Sequence, residues 1–458
     1  MNSLWAISPI DGRYKQKTQG VEKNFSEGAL ILYRLKVEAH WLEFLTRHVF
    51  VDVKVPSNVK TLLQQWQNCQ DLDACEAIKS IERTTNHDVK AVEYYIQTKL
   101  ENENSEYLIP LVHFACTSED INNCSYALMT QDFLRNLYLP KITKLETQLA
   151  NFAREFRALP MLARTHGQPA SPTTLGKEWA NFLWRVRKQK NNLTHIPIEA
   201  KFNGAVGNFN AHHAAFLNLD WITLSQKFIS EHLKLTPNPV TTQIENHDRL
   251  VELLDRAQHL NTILVGFCRD IWGYIAIGLF TQKSRENEVG SSTMPHKINP
   301  IDFENAEGNF GIANSLSRHL SEKLPISRFQ RDLTDSTALR NLGVFWAHTM
   351  LALDALSRGL EKIVPNIEMI KKELENNSEV LAEAIQTVMR KKGVLNAYER
   401  LKIFTRGQKV SEAKLNEFIR QVDELSEIEK AELIELSPEK YIGKAIALTD
   451  FVLSECSL

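Results

Sequence analysis

The segment from Gly290 to Pro300, GSSTMPHKINP, contains residue types that can act together on a carboxylate substrate. Small residues open the segment, and two prolines then enclose Lys297 and Asn299. An ammonium and a side-chain amide held between rigid points can bind a carboxylate together. A serine in the lead-in could also close over a bound molecule. Residue types alone leave a second interpretation open, a surface loop between two helices.

A second segment, RTHGQPA from Arg164 to Ala170, places His166 beside Gly167 and ahead of Pro169. Histidine can donate a proton near neutral pH because its unperturbed pKa is about 6.5. A lone histidine is also a common structural hydrogen-bonding group, so this interpretation stays open. The glycine and proline predict a constrained turn just before a helix. The apolar stripe of that helix contains Leu175, Trp179, Phe182 and Val186.

Four further segments are rich in side chains that bind polar ligands. They are Ser8–Tyr14 (SPIDGRY), Glu82–Lys90 (ERTTNHDVK), His113–Asp120 (HFACTSED) and Ser327–Arg340 (SRFQRDLTDSTALR). The first could be only an N-terminal turn. The second could be a polar helix start with Thr84 or Thr85 as its cap. The last could be a solvated helix start that pairs Arg328 with Asp332.

The elements that position these segments are predicted to be helices. Apolar residues recur at alternating three- and four-residue steps, which is typical of amphipathic helices that pack in bundles. Such stripes are formed by Leu30, Tyr33, Val37, Trp41 and Phe44, by Ile142, Leu145, Leu149, Phe152 and Phe156, by Phe303, Ala306, Phe310, Ala313 and Leu320, and by Leu339, Leu342, Trp346, Leu353, Leu356 and Leu360. Convincing alternating strands are scarce. We therefore predict an all-α fold with loops at 159–173, 201–210 and 290–300.

Proline positions divide the chain into three predicted domains. An N-terminal helical domain covers 1–110, a central domain of long helices covers 111–364, and a C-terminal helical domain covers 365–458. The long central stripes would expose much apolar surface in a single subunit, which favours burial against other subunits.

Composition excludes several classes of function. The formal net charge is −2, and no basic stripe is interleaved with aromatic residues, so neither nucleic acid nor an anionic membrane is an expected partner. The apolar stretch 263–280 contains Arg269 and Asp270, which favours a buried bundle helix over a membrane span. The six cysteines form no CxxC pair, and no signal peptide is recognisable at the start. These features predict a cytoplasmic protein with reduced thiols.

The two segments described first carry a resemblance to a known family. GSSTMPHKINP resembles the signature loop of the aspartase/fumarase superfamily, and THGQPA resembles the general-acid stretch of its adenylosuccinate lyase family. The DGRY start, the TTNHD stretch and the segment ending at Arg340 resemble the bacterial subgroup of that family. The resemblance continues to the late YIGKA stretch and so covers nearly the whole chain, although it loosens over Leu45–Gln70.

This resemblance implies a reaction and an assembly. The three-domain architecture would have a long central helical bundle. The reaction would be a β-elimination of fumarate from adenylosuccinate, giving AMP. The same elimination from succinylated aminoimidazole carboxamide ribotide (SAICAR) would give AICAR, within purine biosynthesis. The enzyme would be a homotetramer whose active sites combine residues of three subunits.

The resemblance also implies roles for single residues. Ser291 would be the general base, His166 the general acid, and Glu304 the carboxylate that orients His166. Lys297 would act on the carboxylate where negative charge develops. The other matched positions would contact the substrate, and they are Arg13, Tyr14, Asn86, His87, Asp88, Thr117, Ser118, Gln243, Ser292, Ile298, Asn299, Asn305, Arg331, Ser336, Thr337, Ala338, Leu339 and Arg340.

The residue types suit the implied chemistry. A carbanion beside a carboxylate is stabilised when cationic and hydrogen-bonding groups already face it, and Lys297 and Asn299 could do this. Arginines and hydroxyls could bind a nucleotide phosphate. The chain lacks HExxH spacing, and the adjacent His212 and His213 would point apart on a helix, so we expect neither a metal nor another cofactor.

Two alternatives remain at this stage. One is another fumarate-releasing lyase of the superfamily, such as an argininosuccinate lyase-like enzyme, because the signature loop is shared by all of them. The nucleotide-type segments argue against it. The other is a non-catalytic structural homologue on the same scaffold. The presence of His166, Ser291 and Lys297 argues against that alternative.

Overall fold

The computed structural model of the chain describes residues 3–283, 294, 296–405 and 410–455. Helices dominate these residues, and the strands form only two-stranded sheets. The predicted all-α class is confirmed. Ser291 and Ser292, which the sequence identifies as possible base and substrate contact, lie outside the described residues.

The α-helices of the described residues vary widely in length. In chain order they are α1 (Gln19–Phe25), α2 (Glu27–His48), α3 (Ser57–Gln67), α4 (Ala74–Thr85), α5 (Asp88–Asn102), α6 (Ser118–Phe133), α7 (Leu139–Glu155), α8 (Leu175–Thr194), α9 (Asn210–Ala215), α10 (Trp221–Lys227), α11 (Asp248–Ala276), α12 (Ile301–Lys323), α13 (Thr334–Leu339), α14 (Leu342–Lys362), α15 (Ile367–Glu375), α16 (Ala382–Lys391), α17 (Ala397–Thr405), α18 (Glu412–Arg420), α19 (Glu427–Ile434) and α20 (Ala445–Ser454).

Short strands and single helical turns connect these helices. The strands are β1 (Pro160–Thr165), β2 (Gln168–Thr174), β3 (Glu199–Ala200), β4 (Thr236–Pro237), β5 (Phe280–Gln282) and β6 (Ile363–Pro365). Strands β1 and β2 pair antiparallel, as do β5 and β6, whereas β3 and β4 are parallel. The 3₁₀ turns are Ser3–Trp5, Lys15–Lys17, Glu106–Leu111 and Ser378–Leu381, and the π turns are Leu134–Tyr138 and Phe228–His232.

The chain forms two compact units. The first unit contains residues 1–142, 189–262 and 308–353, and the second contains residues 143–188, 263–307 and 354–458. Each unit is therefore assembled from segments that are distant in sequence. The three domains predicted over 1–110, 111–364 and 365–458 stay a prediction.

The first unit has an aromatic and aliphatic core around α2. The predicted stripe of α2 is confirmed, since Leu30, Val37, Trp41 and Phe44 are all buried. The Trp41 ring lies 4.4 Å from that of Phe202 and stacks at 5.5 Å on that of Phe44. Burial of such large apolar side chains is the main favourable term in folding.

The second unit packs α7 against α8 through aromatic rings. The Phe152 and Trp179 ring centroids are 3.5 Å apart, and Phe267 meets Trp179 edge-on at 5.1 Å. Gly176 allows this close approach, because a Cβ atom at that position would lie 2.5 Å from the Ala153 carbonyl oxygen. A separate cluster, which includes Leu381, Ile385, Met389, Leu401, Leu415 and Ile419, forms the core of the C-terminal helices.

The apolar stretch at 263–280 belongs mostly to α11, a helix of 29 residues. Leu264, Phe267 and Ile271 are buried in it, as expected for a bundle helix. Within the described ranges, no helix is both long and apolar enough to cross a membrane.

Three local predictions were wrong. Thr84 and Thr85 do not cap a helix start but end α4, and the cap of α5 is His87. The segment 159–173 is not a loop but largely the β1–β2 hairpin. Leu339 does not begin the stripe of α14, because α13 ends there and Arg340 and Asn341 separate it from α14. The first error arises because the His87 side chain, rather than a threonine, caps α5, and the second because 160–174 pairs as an antiparallel ladder.

Candidate active site

His166 lies at the tip of the β1–β2 hairpin. Thr165 pairs with Gln168, so His166 and Gly167 form a two-residue turn. Both have positive φ, 54° and 74°, as a type I′ turn requires. The predicted constrained turn before a helix is therefore confirmed, and the hairpin presents an exposed imidazole.

A half-buried and an exposed carboxylate hold the two arms of this hairpin. Arg164, two residues before His166, forms an ion pair with Glu373 on α15. On the other strand, the Ser171 hydroxyl donates a hydrogen bond to Glu383 on α16. These two contacts hold the strands, and neither of them involves His166 or Gly167 in the turn.

The end of the signature loop leads directly into α12. The Lys297 and Ile298 side chains are exposed and Asn299 is half-buried. The Lys297 N–H donates to the Met294 carbonyl oxygen at 3.1 Å, and the Ile298 carbonyl accepts from Gln282 Nε2 at 3.1 Å. This backbone anchoring places the Lys297 ammonium in solvent, where it can meet an anionic ligand.

Glu304 and Asn305 occupy the first turn of α12. Glu304 is exposed, and its Oε1 accepts a hydrogen bond from Trp272 Nε1 at 3.2 Å. No hydrogen bond or ion pair joins Glu304 to His166 within the chain, although both residues are among those described. The predicted orienting contact between them stays a prediction.

In the first unit, Asp88 and Arg340 meet in a charged network. Asp88 Oδ2 lies 2.7 Å from Arg34 Nη2 and 3.3 Å from Arg340 Nη2, and Arg340 Nη1 also lies 2.5 Å from Glu27. Burial of Asp88 opposes ionisation, but Arg34 outweighs it and lowers the pKa of Asp88. Arg34 is buried, so the side chain that anchors this network has little conformational freedom.

Asn86 and His87 form the tight junction between α4 and α5. Asn86 ends α4 in the left-handed conformation at φ 52°, and His87 Nδ1 accepts the Lys90 N–H at 3.1 Å. Because Nδ1 is an acceptor, the imidazole carries its proton on Nε2 and presents it outward. Both side chains are exposed and accessible to a ligand.

The start of the chain shares a groove with Arg340. Residues Ile10, Asp11, Lys15 and Thr18 line it together with Arg340. Arg13 is exposed, and its guanidinium lies 5.9 Å from the Tyr14 ring centre. Two predicted phosphate-binding segments, distant in sequence, are thus neighbours.

Thr117 and Ser118 begin α6, and buried charges hold them. The Thr117 N–H donates to Asp120 Oδ2 at 2.8 Å. Asp120 Oδ1 lies 2.8 Å from Lys201 Nζ, and both side chains are fully buried. Asp120 Oδ1 also accepts the Asn203 and Gly204 N–H groups, so the carboxylate connects α6 to the 201–210 loop.

Gln243 and Arg331 lie in neighbouring loops. Gln243 Nε2 donates to the Ala205 carbonyl oxygen at 2.9 Å, and its N–H donates to the Gln330 carbonyl oxygen at 3.3 Å. Arg331 Nη1 lies 2.8 Å from Glu119 Oε2, next to Ser118. Three predicted binding segments therefore converge in the first unit.

The residues of α13 that are predicted to contact the substrate differ in their exposure to solvent. Ser336 is half-buried and Thr337 exposed, while Ala338 and Leu339 are buried in the core. The last two could reach a ligand only through their backbone. Arg328 is exposed, and half-buried Asp332 accepts its backbone N–H at 3.0 Å, so the predicted pair forms, but in the turn before α13 rather than in a helix.

Comparison with known proteins identifies the family. The sequence profile described as Lyase matches residues 12–312, and the one described as Adenylosuccinate lyase C-terminal matches residues 327–442. The chain is 48% identical to the adenylosuccinate lyase of Vibrio cholerae serotype O1, an alignment that covers 98% of this chain and 99% of the relative. It is 46% identical to that of Escherichia coli strain K12, with the same coverage of both chains. The chain belongs to the adenylosuccinate lyase family.

Solved structures more distant in sequence share the fold of this adenylosuccinate lyase family member. The 3-carboxy-cis,cis-muconate lactonizing enzyme from Pseudomonas putida matches with a TM-score of 0.76 at 23% identity, covering 96% of this chain and 97% of that one. Fumarate lyase from Mesorhizobium sp. BNC1 matches with the same TM-score at 18% identity, covering 95% and 97%. At these identities the comparison establishes the fold.

Sequence reasoning missed the charged residues that support the site in this member of the adenylosuccinate lyase family. Arg34 and Glu38 lie on the apolar face of α2, where they bind Asp88 and His113. A charged residue inside an apolar stripe was the signal that could have found them. Lys201 and His247 carried no comparable signal, because Asp120, which pairs with Lys201, and Asp335, which faces His247, are distant from them in sequence.

One group in the first unit has donor types that can bind a metal. Glu119, His247 and Asp335 place ligand atoms within 4.8 Å of one another. Arg331 already lies 2.8 Å from Glu119 and 3.9 Å from Asp335. A guanidinium at that distance supplies the positive charge that the carboxylates need, so we do not propose a metal there.

Proposed function

We propose that the protein eliminates fumarate from adenylosuccinate to give AMP, and from SAICAR to give AICAR. The observation that carries this proposal is identity of 46–48% to adenylosuccinate lyases over 98% of the chain. The exposed His166 at a preformed turn and the outward-facing Lys297 support it.

The proposed reaction needs one base, one acid and one anion-binding group. Ser291 removes a proton from the carbon β to the nitrogen, and Lys297 and Asn299 stabilise the charge that develops on the adjacent carboxylate. The carbanion electron pair then forms the C=C bond of fumarate as the C–N bond breaks. His166 protonates the leaving nitrogen. Serine acts as a base only when it is desolvated and near positive charge, which Lys297 could supply.

The nucleotide is proposed to bind along the first unit. Arg13, Arg331 and Arg340 would bind its phosphate, helped by the Ser336 and Thr337 hydroxyls. Asp88 and Glu27 hold the Arg340 guanidinium at 3.3 Å and 2.5 Å, so its loss of conformational entropy on binding is small. Asn86, His87, Thr117, Ser118 and Gln243 would contact the remainder of the nucleotide.

We further propose a cytoplasmic homotetramer with shared active sites. The absence of any bond between His166 and Glu304 within one chain agrees with a site completed by another subunit. Trp272, Ile277 and Ile312 are also left about half exposed, as expected for long helices that pack against other copies. The described cysteines are free thiols, consistent with a reducing compartment.

The test is an absorbance assay of the purified protein on adenylosuccinate, with argininosuccinate and malate in parallel. Wild type should act on adenylosuccinate alone, and Ser291→Ala should abolish this activity. Ser230→Ala, the same change at an exposed serine of the first unit, should leave it intact. Turnover of argininosuccinate or malate instead would refute the substrate assignment. Inactivity on all three would favour a non-catalytic homologue.

Shared sites have a separate test. Inactive His166→Asn and Ser291→Ala chains, mixed and allowed to exchange subunits, should recover part of the activity, because some sites then contain both intact groups. No recovery despite demonstrated exchange would place both groups on one chain.

A further inference from the structure

The first unit contains a buried cluster of ionisable groups that no proposed catalytic step uses. Three carboxylates, Glu119, Glu245 and Asp335, surround two groups that can be cationic, Arg331 and His247. All except Arg331 are buried, with side-chain exposure of 6% or less, and Arg331 is 16% exposed. We define these five residues as the His247 cluster.

His247 lies between two of these carboxylates. Its Nδ1 is 3.7 Å from Glu245 Oε2, and its Nε2 is 3.9 Å from Asp335 Oδ2. The backbone N–H of His247 donates to Glu245 Oε2 at 2.7 Å, and the His247 backbone has a left-handed φ of 63°. The ring therefore has one carboxylate facing each nitrogen.

The far side of the cluster is Arg331, a proposed phosphate ligand. Its Nη1 is 2.8 Å from Glu119, and its Nη2 is 3.9 Å from Asp335 Oδ1. Asp335 is thus shared by His247 and Arg331. Asp335 Oδ1 also accepts the Ser336 N–H at 2.7 Å, so it supports the start of α13 as well.

Charge counting shows why the second cation matters. Three buried carboxylates with Arg331 alone would carry two uncompensated negative charges, at a high desolvation cost. Arg331 would then be attracted more strongly into the cluster and away from a ligand. A cationic His247 compensates one of these charges and lies within 3.9 Å of Asp335 Oδ2.

The surroundings favour the charged imidazole. Burial opposes ionisation of the ring, but Asp335, Glu245 and Glu119 outweigh it and raise the pKa of His247. The ring also borders a small cavity lined by Tyr126, Glu199 and Arg249, in which Glu199 and Arg249 pair with each other at 3.4 Å. Burial also raises the pKa of Glu119, and the nearby Arg331 guanidinium partly offsets this increase.

We propose that His247 is a positioning residue for nucleotide binding, which holds Asp335 and so leaves the Arg331 guanidinium and the first turn of α13 free to bind the substrate phosphate. The proposal rests on the nucleotide-binding role proposed above for Arg331. His247 itself touches neither the substrate nor the reacting atoms.

The test compares His247→Gln with His195→Gln, an equal change at an exposed histidine of the same unit. For His247→Gln we expect the KM for adenylosuccinate and the inhibition constant of AMP to rise together by about tenfold, because removal of one partner of a close charge pair has at least about that effect. The kcat should change by less than about threefold, since the reacting groups are untouched. His195→Gln should match wild type.

Three further measurements separate positioning from a merely structural role. In wild type, KM should stay low while His247 is charged and rise as pH increases through its raised pKa, and His247→Gln should lack this rise. His247→Lys, which restores a cation, should recover part of the lost affinity. In a double-mutant cycle with Asp335→Asn, the combined effect should be smaller than the sum of the single effects.

Several outcomes would overturn the proposal. They are an unchanged KM in His247→Gln, equal losses in kcat and kcat/KM together with a lowered unfolding midpoint, or about one zinc ion per chain by elemental analysis. If His247→Gln does not fold, the proposal would instead be overturned by an Asp335→Asn variant that folds and has the KM of wild type. An inactive wild type would instead refute the proposed function, so the two failures are distinguishable.

Discussion

The two units support their proposed site residues in different ways. In the first unit, Asp88, Arg340 and Arg331 are held by ion pairs to other buried or half-buried charges. In the second unit, His166 protrudes from a hairpin tip, and only the strands below it are tied down by Arg164 and Ser171. The residues proposed to bind the nucleotide are therefore held in place within one chain, whereas the proposed acid, His166, is exposed on a turn.

This difference has a physical reason. A phosphate is bound best by donors that pay no ordering cost at the moment of binding, which favours rigid networks. A proton donor must reach a leaving atom and stay in exchange with solvent between turnovers, which favours an exposed tip. The first unit should therefore respond to mutation mainly through stability and KM, and the second mainly through kcat.

The largest expected effect is on catalysis, from His166→Asn. Asn-Gly is a preferred type I′ turn sequence, so the hairpin should fold as before. Loss of the proposed acid should lower kcat by about 10²–10⁴-fold. Steady-state kinetics and urea unfolding check both parts. A kcat near wild type would remove His166 from the acid role, and a large loss of stability would show that the tip is not independent of the fold.

The second effect is on stability, from Lys201→Met. This change leaves Asp120 as an unpaired buried carboxylate, which should lower the free energy of unfolding by about 3–5 kcal/mol. Lys60→Met, the same change at an exposed lysine of the first unit, should have almost no effect. Denaturant titrations of both variants provide the measurement. Equal stabilities would mean that the buried pair does not hold the first unit together.

The third effect concerns acid stability and Asp88. The folded pKa of Asp88 is lowered by Arg34, so its charge stabilises the fold above the unfolded pKa of about 3.9, and this contribution is lost as pH falls through the folded pKa. Asp88→Asn should cost about 1–3 kcal/mol at pH 7. Its unfolding free energy should then fall less steeply than that of wild type below about pH 4. Parallel curves for the two proteins would contradict the ion-pair interpretation.

The smallest effect separates turn strain from function. Gly167→Ala puts a Cβ at φ 74° with no neighbour within 4 Å, so only backbone strain should result, about 1 kcal/mol. Gly393→Ala has a similar φ of 76° and an equally open surrounding. Both should lose similar stability, but only Gly167→Ala should lower kcat, because it moves the turn that carries His166. Equal kcat values would show that the exact tip geometry is unimportant.

Much of the local architecture was predictable from the sequence. The stripe of Leu30, Val37, Trp41 and Phe44 on α2 and the turn at His166 and Gly167 were both confirmed. Such features depend on contacts within a few residues, where periodicity and glycine conformation are decisive. The end of α4 at Thr85 was misread, because a side-chain acceptor at His87 begins the next helix two residues later.

The partnerships that hold the site were not predictable in this way. Asp88 pairs with Arg34 and Arg340, and Asp120 with Lys201, across long separations in sequence. No spacing rule connects such residues, because the chain path alone decides which charges become buried together.

The sequence by itself determined the helical class, the family and the chemical types available, because periodicity and motif are written in neighbouring residues. Only the tertiary structure decided which charges share a buried space and which remain exposed. A buried ion pair is stable only where both partners leave water together, and that condition is met by packing rather than by order along the chain. His247 is the clearest example, since its neighbours Glu119 and Asp335 come from different segments of the first unit, 1–142 and 308–353.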